Sequence, residues 1–309
     1  MKTALITHDD SLDHVTPPGH PEQVARMDAV REALAGMDLT RVGAPMAARD
    51  DVLRCHPADY LDALERAVPS SGYVSLDADT HMSPGSLGAA WRGAGGAVRA
   101  VDMVLGGEAR NAFVAMRPPG HHAERTTAMG FCFLGNVAIA ARHALEHHGL
   151  ERVAIVDFDV HHGNGTQDLV EDDPRILFCS THQSPLYPGT GAAHETGIED
   201  NVVNVPLPEG TDGRGFRRAM ETKILPRVLA HRPQLILISA GFDAHRNDPL
   251  AGLALVESDF AWITGALCDL AASVCDGRVV SCLEGGYDLP ALGRSAAAHV
   301  TVLRERCDG

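Results

Sequence analysis

The sequence predicts one α/β domain, residues 1–309, doubly wound about a mostly parallel sheet, and three observations predict it. Apolar runs of four to seven residues alternate with helix-length segments along the whole chain, and each chemically unusual motif directly follows such a run. No internal repeat, low-complexity tract or linker-like shift in composition divides the 309 residues. Short runs that are apolar throughout suit strands buried on both faces, and regular strand–helix alternation winds into a sheet covered by helices on both sides.

Strands are expected at residues 3–7, 112–116, 153–158, 176–179, 202–205, 235–240 and 279–283. Amphipathic or alanine-rich segments at 22–34, 86–105, 136–146, 215–229, 259–274 and 291–303 have helical length. In such sheets ligands bind beyond the carboxyl ends of the strands, so the loops that follow the apolar runs are where chemistry is expected.

Composition narrows the function. With 45% hydrophobic and 22% charged residues the chain can build a large core. Twenty-six Lys and Arg against 41 Asp and Glu give a formal charge of −15. That charge repels phosphate backbones and acidic lipid, which argues against nucleic acid or membrane as partners, and it favours a cationic ligand such as a lysine-rich peptide or a polyamine. No apolar run approaches the length of a membrane helix, and residues 1–14 resemble neither a secretory signal nor a transit peptide. Seven cysteines (Cys55, Cys132, Cys179, Cys268, Cys275, Cys282 and Cys307) are scattered without C-x-x-C spacing. An odd, scattered set fits a reducing cytoplasm.

Four loops carry the chemistry. In the first, Arg117-Pro118-Pro119-Gly120-His121-His122, prolines and a glycine set a rigid turn that presents two imidazoles from a strand end. His147-His148 is read differently, as a polar surface pair at a helix end. The second loop runs from Asp157 to Gly165. Positions two apart in extended chain face the same way, so Asp157, Asp159 and His161 can share a face. A carboxylate and an imidazole at that spacing make half of a metal site. A capped turn would also use Asp and Asn here but has no need of two histidines.

The third loop supplies Asp243, which read alone is equally a turn or cap residue, but which as a ligand would complete an Asp-His-Asp set with one position open. The fourth, Glu284-Gly285-Gly286-Tyr287, offers a phenol that could donate to a developing oxyanion, or simply pack over a glycine turn. Phe131 and Tyr187, in two further loops, are either walls of a narrow apolar passage or loop anchors.

RPPGHH (117–122), GFCFLGN (130–136), VDFDVHHGNGTQ (156–167), LYPGTG (186–191), SAGFDAHRNDPL (239–250) and EGGYDL (284–289), in this order, resemble the histone deacetylase and acetylpolyamine amidohydrolase superfamily. PPGHPEQVAR (17–26) is similar to its first loop, so the resemblance spans the chain from Thr7 to Leu289. It implies the arginase/deacetylase fold, a three-layer α/β/α sandwich.

The resemblance further implies one catalytic Zn²⁺ on Asp159, His161 and Asp243, a donor set that would also accept Fe²⁺ or Mn²⁺. His121 and His122 become the tandem imidazoles beside the attacking water, with His122 as general base and then acid and Asp157 orienting His121. Tyr287 becomes the oxyanion donor, Gly130 the acceptor for the substrate amide, Phe131 and Tyr187 the tunnel walls, and Asp79 the holder of the substrate backbone. A structural K⁺ or Na⁺ would lie against Asp157, Asp159, His161, Ser180 and Thr181, and a second around Val170, Asp173 and Ile176.

Asn164 stands where class I members carry a second aspartate, which marks a class II-like bacterial homologue, and Tyr287 is the phenol that weakly active relatives lack. Leu250 stands where polyamine-selective eukaryotic members carry a glutamate. The expected activity is hydrolysis of N-ε-acyl-lysine in a peptide or protein, to acetate and free amine. The alternatives are a deacetylase of acetylpolyamines or other small N-acetylated amines and, in another class, a catalytically silent acyl-lysine binding protein. Binuclear manganese ureohydrolases need D-x-H-x-D, and Gly163 replaces the last carboxylate. Homo-oligomerisation is compatible with every one of these readings.

Overall fold

A computed structural model describes residues 1–306, so Cys307 lies outside the described residues. Its strands are β1 (Ala4–Thr7), β2 (Thr40–Gly43), β3 (Val74–Ser75), β4 (His81–Met82), β5 (Asn111–Val114), β6 (Val153–Asp157), β7 (Ile176–Gln183), β8 (Val202–Leu207), β9 (Ile236–Ala240) and β10 (Val279–Leu283). The helices are α1 (Asp10–Asp13), α2 (Ala25–Leu34), α3 (Arg49–Leu53), α4 (Ala58–Ala67), α5 (Ser86–Leu105), α6 (Asn136–Glu146), α7 (Asn164–Val170), α8 (Gly213–Ala219), α9 (Leu225–His231), α10 (Glu257–Val274) and α11 (Leu289–Glu305). A π-helical stretch, Met220–Ile224, joins α8 to α9.

Eight strands form one sheet in the order β2-β1-β5-β10-β9-β6-β7-β8, and every neighbouring pair is parallel. The minor pair β3 and β4 is antiparallel. Side chains alternate across a strand, and both faces of this sheet are covered. Along β6, Val153 and Ile155 enter one core, while Ala154 and Val156 enter the other. Helices α5 and α6 close the first core, and α2, α10 and α11 close the second. The result is the expected three-layer sandwich.

Seven of the eight strands of the main sheet coincide with the apolar runs. The exception, β2 (TRVG), lies at the sheet edge, largely exposed, and offers no apolar run to find. β7 runs four residues beyond its apolar part, because Ser180, Thr181, His182 and Gln183 are polar yet buried. Cys55, Cys132, Cys179, Cys268, Cys275 and Cys282 are all buried. Among the described residues no helix is long and apolar enough to cross a membrane.

Candidate active site

The four central strands β5, β10, β9 and β6 are neighbours, and their carboxyl ends deliver the four loops to one rim. His121 and His122 follow β5; Asp157 ends β6 and Asp159 and His161 follow it; Asp243 follows β9 and Tyr287 follows β10. All seven are buried.

Asp159, His161 and Asp243 converge, with one potential ligand atom from each lying within 4.8 Å of the others. Nδ1 of His161 is 3.1 Å from Oδ1 of Asp159 and 3.2 Å from Oδ2 of Asp243. Burial disfavours an imidazolium here, but the two carboxylates outweigh it and raise the His161 pKa to about 10. Burial pushes the Asp243 carboxyl up, and the neighbouring charge of Asp159 adds to that shift. Two buried carboxylates thus face one imidazole nitrogen, a negative pocket that a divalent cation suits.

The backbone leaves room for this arrangement only through glycine. A Cβ on Gly241 would overlap the Asp159 carboxylate, and one on Gly285 would overlap that of Asp243. Gly285 N also donates to Oδ2 of Asp159 (2.8 Å), and Val160 N donates to Oδ1 of Asp243 (2.9 Å), so both carboxylates are held by main chain. The donor set fits a catalytic zinc ion with an open position.

The tandem histidines differ in their partners. His121 Nδ1 donates to Oδ2 of Asp157 at 3.0 Å. Burial opposes its charge, but Asp159 and Asp157 prevail and hold its pKa well above the ordinary value. Asp157, pushed by burial to about 6, remains ionised at neutral pH under the pull of His121. His122 Nδ1 instead meets Oδ1 of Asn164 at 2.7 Å. Burial first, then the charges of His121 and His161, keep His122 well below its ordinary pKa and hence neutral.

Tyr287 completes the floor of a cleft of about 390 Å³. Burial holds its phenol well above the ordinary pKa, so the O–H stays on. Its backbone N donates to Oδ2 of Asp248 (2.8 Å), and the Arg26 guanidinium lies 4.9 Å from its ring centre. His122, His161, Gly130, Phe131, Tyr187, Leu250 and Asp79 line the same cleft, so it gathers every substrate-contacting residue expected from the sequence. Tyr187 is 38% exposed at the mouth. Phe131 packs edge-on against Tyr287, its N–H donating to Thr80 Oγ1 at 3.0 Å.

Two supports have no counterpart in the sequence reading. Glu284 accepts N–H groups from Gly120 (2.7 Å) and His121 (3.1 Å), which ties the histidine loop to β10. Glu22 accepts from Arg117 Nε (2.5 Å) and Nη2 (2.6 Å) and from Arg26 Nη1 (2.9 Å), all three side chains being fully buried. Both glutamates lie inside quoted motifs, but their partners are far away in sequence.

Of the residues expected around monovalent ions, Asp157 and Ser180 are direct partners across β6 and β7, with Thr181 beside them. Ser180 Oγ is engaged by His182 Nδ1 at 2.9 Å. Around the second expected ion the carbonyls of Val170, Asp173 and Ile176 converge on Nδ2 of Asn201, at 3.2, 3.1 and 3.1 Å.

A parallel α/β/α sheet carrying this triad, imidazole pair and phenol under one cleft has the architecture of the deacetylase class. The comparisons agree: the model of the histone deacetylase domain matches residues 20–303. The chain belongs to the histone deacetylase family. It is 41% identical over 298 residues to a probable deacetylase of Archaeoglobus fulgidus, covering 94% of this chain and 82% of that protein. It is 41% identical over 284 residues to the histone deacetylase-like amidohydrolase of Pseudomonas aeruginosa, covering 88% and 74%. The crystal structure of the HDA15 HD domain superposes with a TM-score of 0.92 at 33% identity, over 98% of this chain and 89% of that one. Family membership supports an enzyme, a deacetylase or amidohydrolase acting on acetylated substrates.

Proposed function

We propose that this family member is a zinc-dependent deacetylase that removes acetyl and related acyl groups from the ε-nitrogen of lysine. The observation that carries the reading is the buried Asp159–His161–Asp243 set at the foot of a narrow cleft that also holds His122 and Tyr287. Asp159, His161 and Asp243 would hold the ion, which when bound supplies Lewis acidity toward the amide carbonyl and acidifies water.

His122, neutral, takes a proton from the attacking water and returns it to the leaving amine. Asp157 orients His121 and keeps it cationic beside the reacting centre. The protonated phenol of Tyr287 donates to the oxygen on which negative charge develops. Phe131 and Tyr187 flank the aliphatic arm, the Gly130 carbonyl accepts the substrate amide, and Asp79 and Leu250 stand at the cleft where the rest of the substrate enters. A monovalent ion against Asp157, Asp159, His161, Ser180 and Thr181 rests on the family resemblance alone. The buried cysteines fit the cytoplasmic placement.

A second reading, a deacetylase of acetylated polyamines, draws on the −15 charge and on Asp77 and Asp79 near the mouth. Leu250 in the cleft, where a carboxylate would select a second ammonium, ranks it below the lysine reading. Acetate release by the zinc-loaded chain from an acetyl-lysine peptide and from N-acetylputrescine separates them. Higher kcat/KM on the peptide supports the proposal. Preference for the polyamine replaces it with the second reading, and turnover of neither overturns both.

A further inference from the structure

The pair His147-His148, read from the sequence as surface polarity, belongs to a cluster with Asp102 and His143 at the end of the strands opposite the cleft. Helices that connect parallel strands run back against them, so the carboxyl ends of α5 and α6 lie beside the strands' amino ends. Asp102 sits in the last turn of α5, His143 in the last turn of α6, and His147 caps α6 with its N–H still donated to the His143 carbonyl at 2.9 Å. His143 and His147 therefore share one helical face at i and i+4, a spacing that helices use to hold zinc.

The geometry is that of a ligand set. His143 Nε2 and His148 Nε2 each lie 2.8 Å from the same oxygen, Oδ1 of Asp102. The His147 ring stacks on His143 at 4.7 Å and meets the His148 ring edge-on at 5.0 Å. One ligand atom from each of the four side chains lies within 4.8 Å of all the others. Tetrahedral donors about 2.0–2.1 Å from a metal stand about 3.3 Å apart. Exchanging the protons shared with Asp102 for a cation opens the two short contacts toward that spacing.

The surroundings also fit a cation. His143 is buried, and its other nitrogen, Nδ1, lies 3.0 Å from Oδ1 of Asp51. This is the carboxylate–histidine backing that fixes the tautomer and raises the basicity of a metal-ligating imidazole. Two helix carboxyl ends direct their negative poles at the cluster. Hydrogen bonding to Asp102 and Asp51 would account for His143 and His148. It gives no reason for the His147 ring, which packs on both other imidazoles, to converge on the same point.

We infer that Asp102, His143, His147 and His148 form a second metal site, remote from the catalytic centre, that takes a late first-row divalent cation such as Zn²⁺. Three imidazoles and one carboxylate close a four-coordinate shell and leave no open position, so the ion ties α5 to α6 and takes no part in hydrolysis. His147 is exposed and His148 half-buried, which gives the ion an entry path and allows both to be replaced without disturbing the core.

The test is calorimetric titration of the full chain, stripped with chelator, with Zn²⁺ alone, in the parent and in a His147→Gln, His148→Gln double variant. The inference expects the double variant to bind one equivalent fewer than the parent and to retain the parent's specific activity after zinc loading. Equal stoichiometry in the two proteins overturns it. An Asp159→Asn background isolates the remote site: there Zn²⁺ should raise the melting temperature with both histidines present and leave it unmoved with both replaced. A rise of the same size in both would also overturn the inference.

Discussion

His122 Nδ1 faces Oδ1 of Asn164 at 2.7 Å, while its neighbour His121 faces a carboxylate, Asp157, at 3.0 Å. The Asn164 amide is oriented by its own Nδ2, which donates to Oε1 of Glu124 at 2.8 Å. An amide oxygen can only accept, so His122 carries its proton on Nδ1 and keeps a lone pair on Nε2. Two adjacent histidines on one rigid loop are thereby given different protonation states by residues of another loop.

Removing the acceptor should therefore matter more than changing its charge. Asn164→Ala frees the tautomer of His122 and should lower kcat at least tenfold, within the 10²–10⁴ or so that general base catalysis supplies. Asn164→Asp keeps an acceptor at the same place and should retain more activity than the alanine variant. Steady-state kinetics on an acetyl-lysine peptide ranks the three proteins, and equal rates for the two variants would count against the tautomer argument.

Among the described residues Glu22 is the only acidic side chain hydrogen-bonded to Arg26 and Arg117, and all three are fully buried. Glu22→Gln strands two guanidinium groups away from water, and breaking a buried pair in this way costs about 3–5 kcal/mol. Denaturant unfolding should show a loss of that order, because Arg117 opens the histidine loop. A loss within about 0.5 kcal/mol would mean the network is dispensable.

His299 sets a pH dependence of stability. It is fully buried between Thr264 Oγ1 (2.6 Å) and Ser281 Oγ (2.9 Å), and burial pushes its pKa down to about 3. Below the ordinary value of about 6.5 the unfolded chain binds a proton that the folded chain refuses. Stability is therefore full above pH 6.5 and falls as pH drops, by about 1.4 kcal/mol per unit until the folded pKa is reached. His56, His162 and His182, each lowered by burial to about 4, act in the same direction. Melting temperature should fall between pH 7 and 5, and His299→Gln should make the slope shallower; an unchanged slope would argue against a neutral buried His299.

Gly241 tests the metal reading through the backbone. A methyl group there would overlap the Asp159 carboxylate, so Gly241→Ala should displace one ligand and weaken zinc binding by tenfold or more with the fold retained. Zinc affinity measured by chelator competition would show it, and parent-like affinity would remove Asp159 from the ligand set.

Much of this was legible in the sequence because the relevant signals are local. Strands buried on both faces are apolar throughout, and the catalytic loops keep ligand types two residues apart or adjacent. What escaped depends on distance along the chain. Glu22 is 95 residues from Arg117, Glu284 is 163 from His121, and Asp102 is 46 from His148. No local pattern reveals such partners. Edge strand β2 and the polar end of β7 escaped for a different reason: one is too exposed, and the other too polar, to look like a buried strand. Asn201, whose Nδ2 lies against the carbonyls of Val170, Asp173 and Ile176, likewise reaches them from outside that stretch.

The central claim is that a protonated Tyr287 and the Asp159–His161–Asp243 set act together on one amide. The most direct test is kcat for acetate release from an acetyl-lysine peptide by zinc-loaded Tyr287→Phe, with zinc content measured in the same sample. Loss of one such donor typically costs about 10²–10³ in turnover, so kcat should fall by at least a hundredfold with zinc content unchanged. A variant that turns over within a few-fold of the parent at full zinc occupancy would contradict the account.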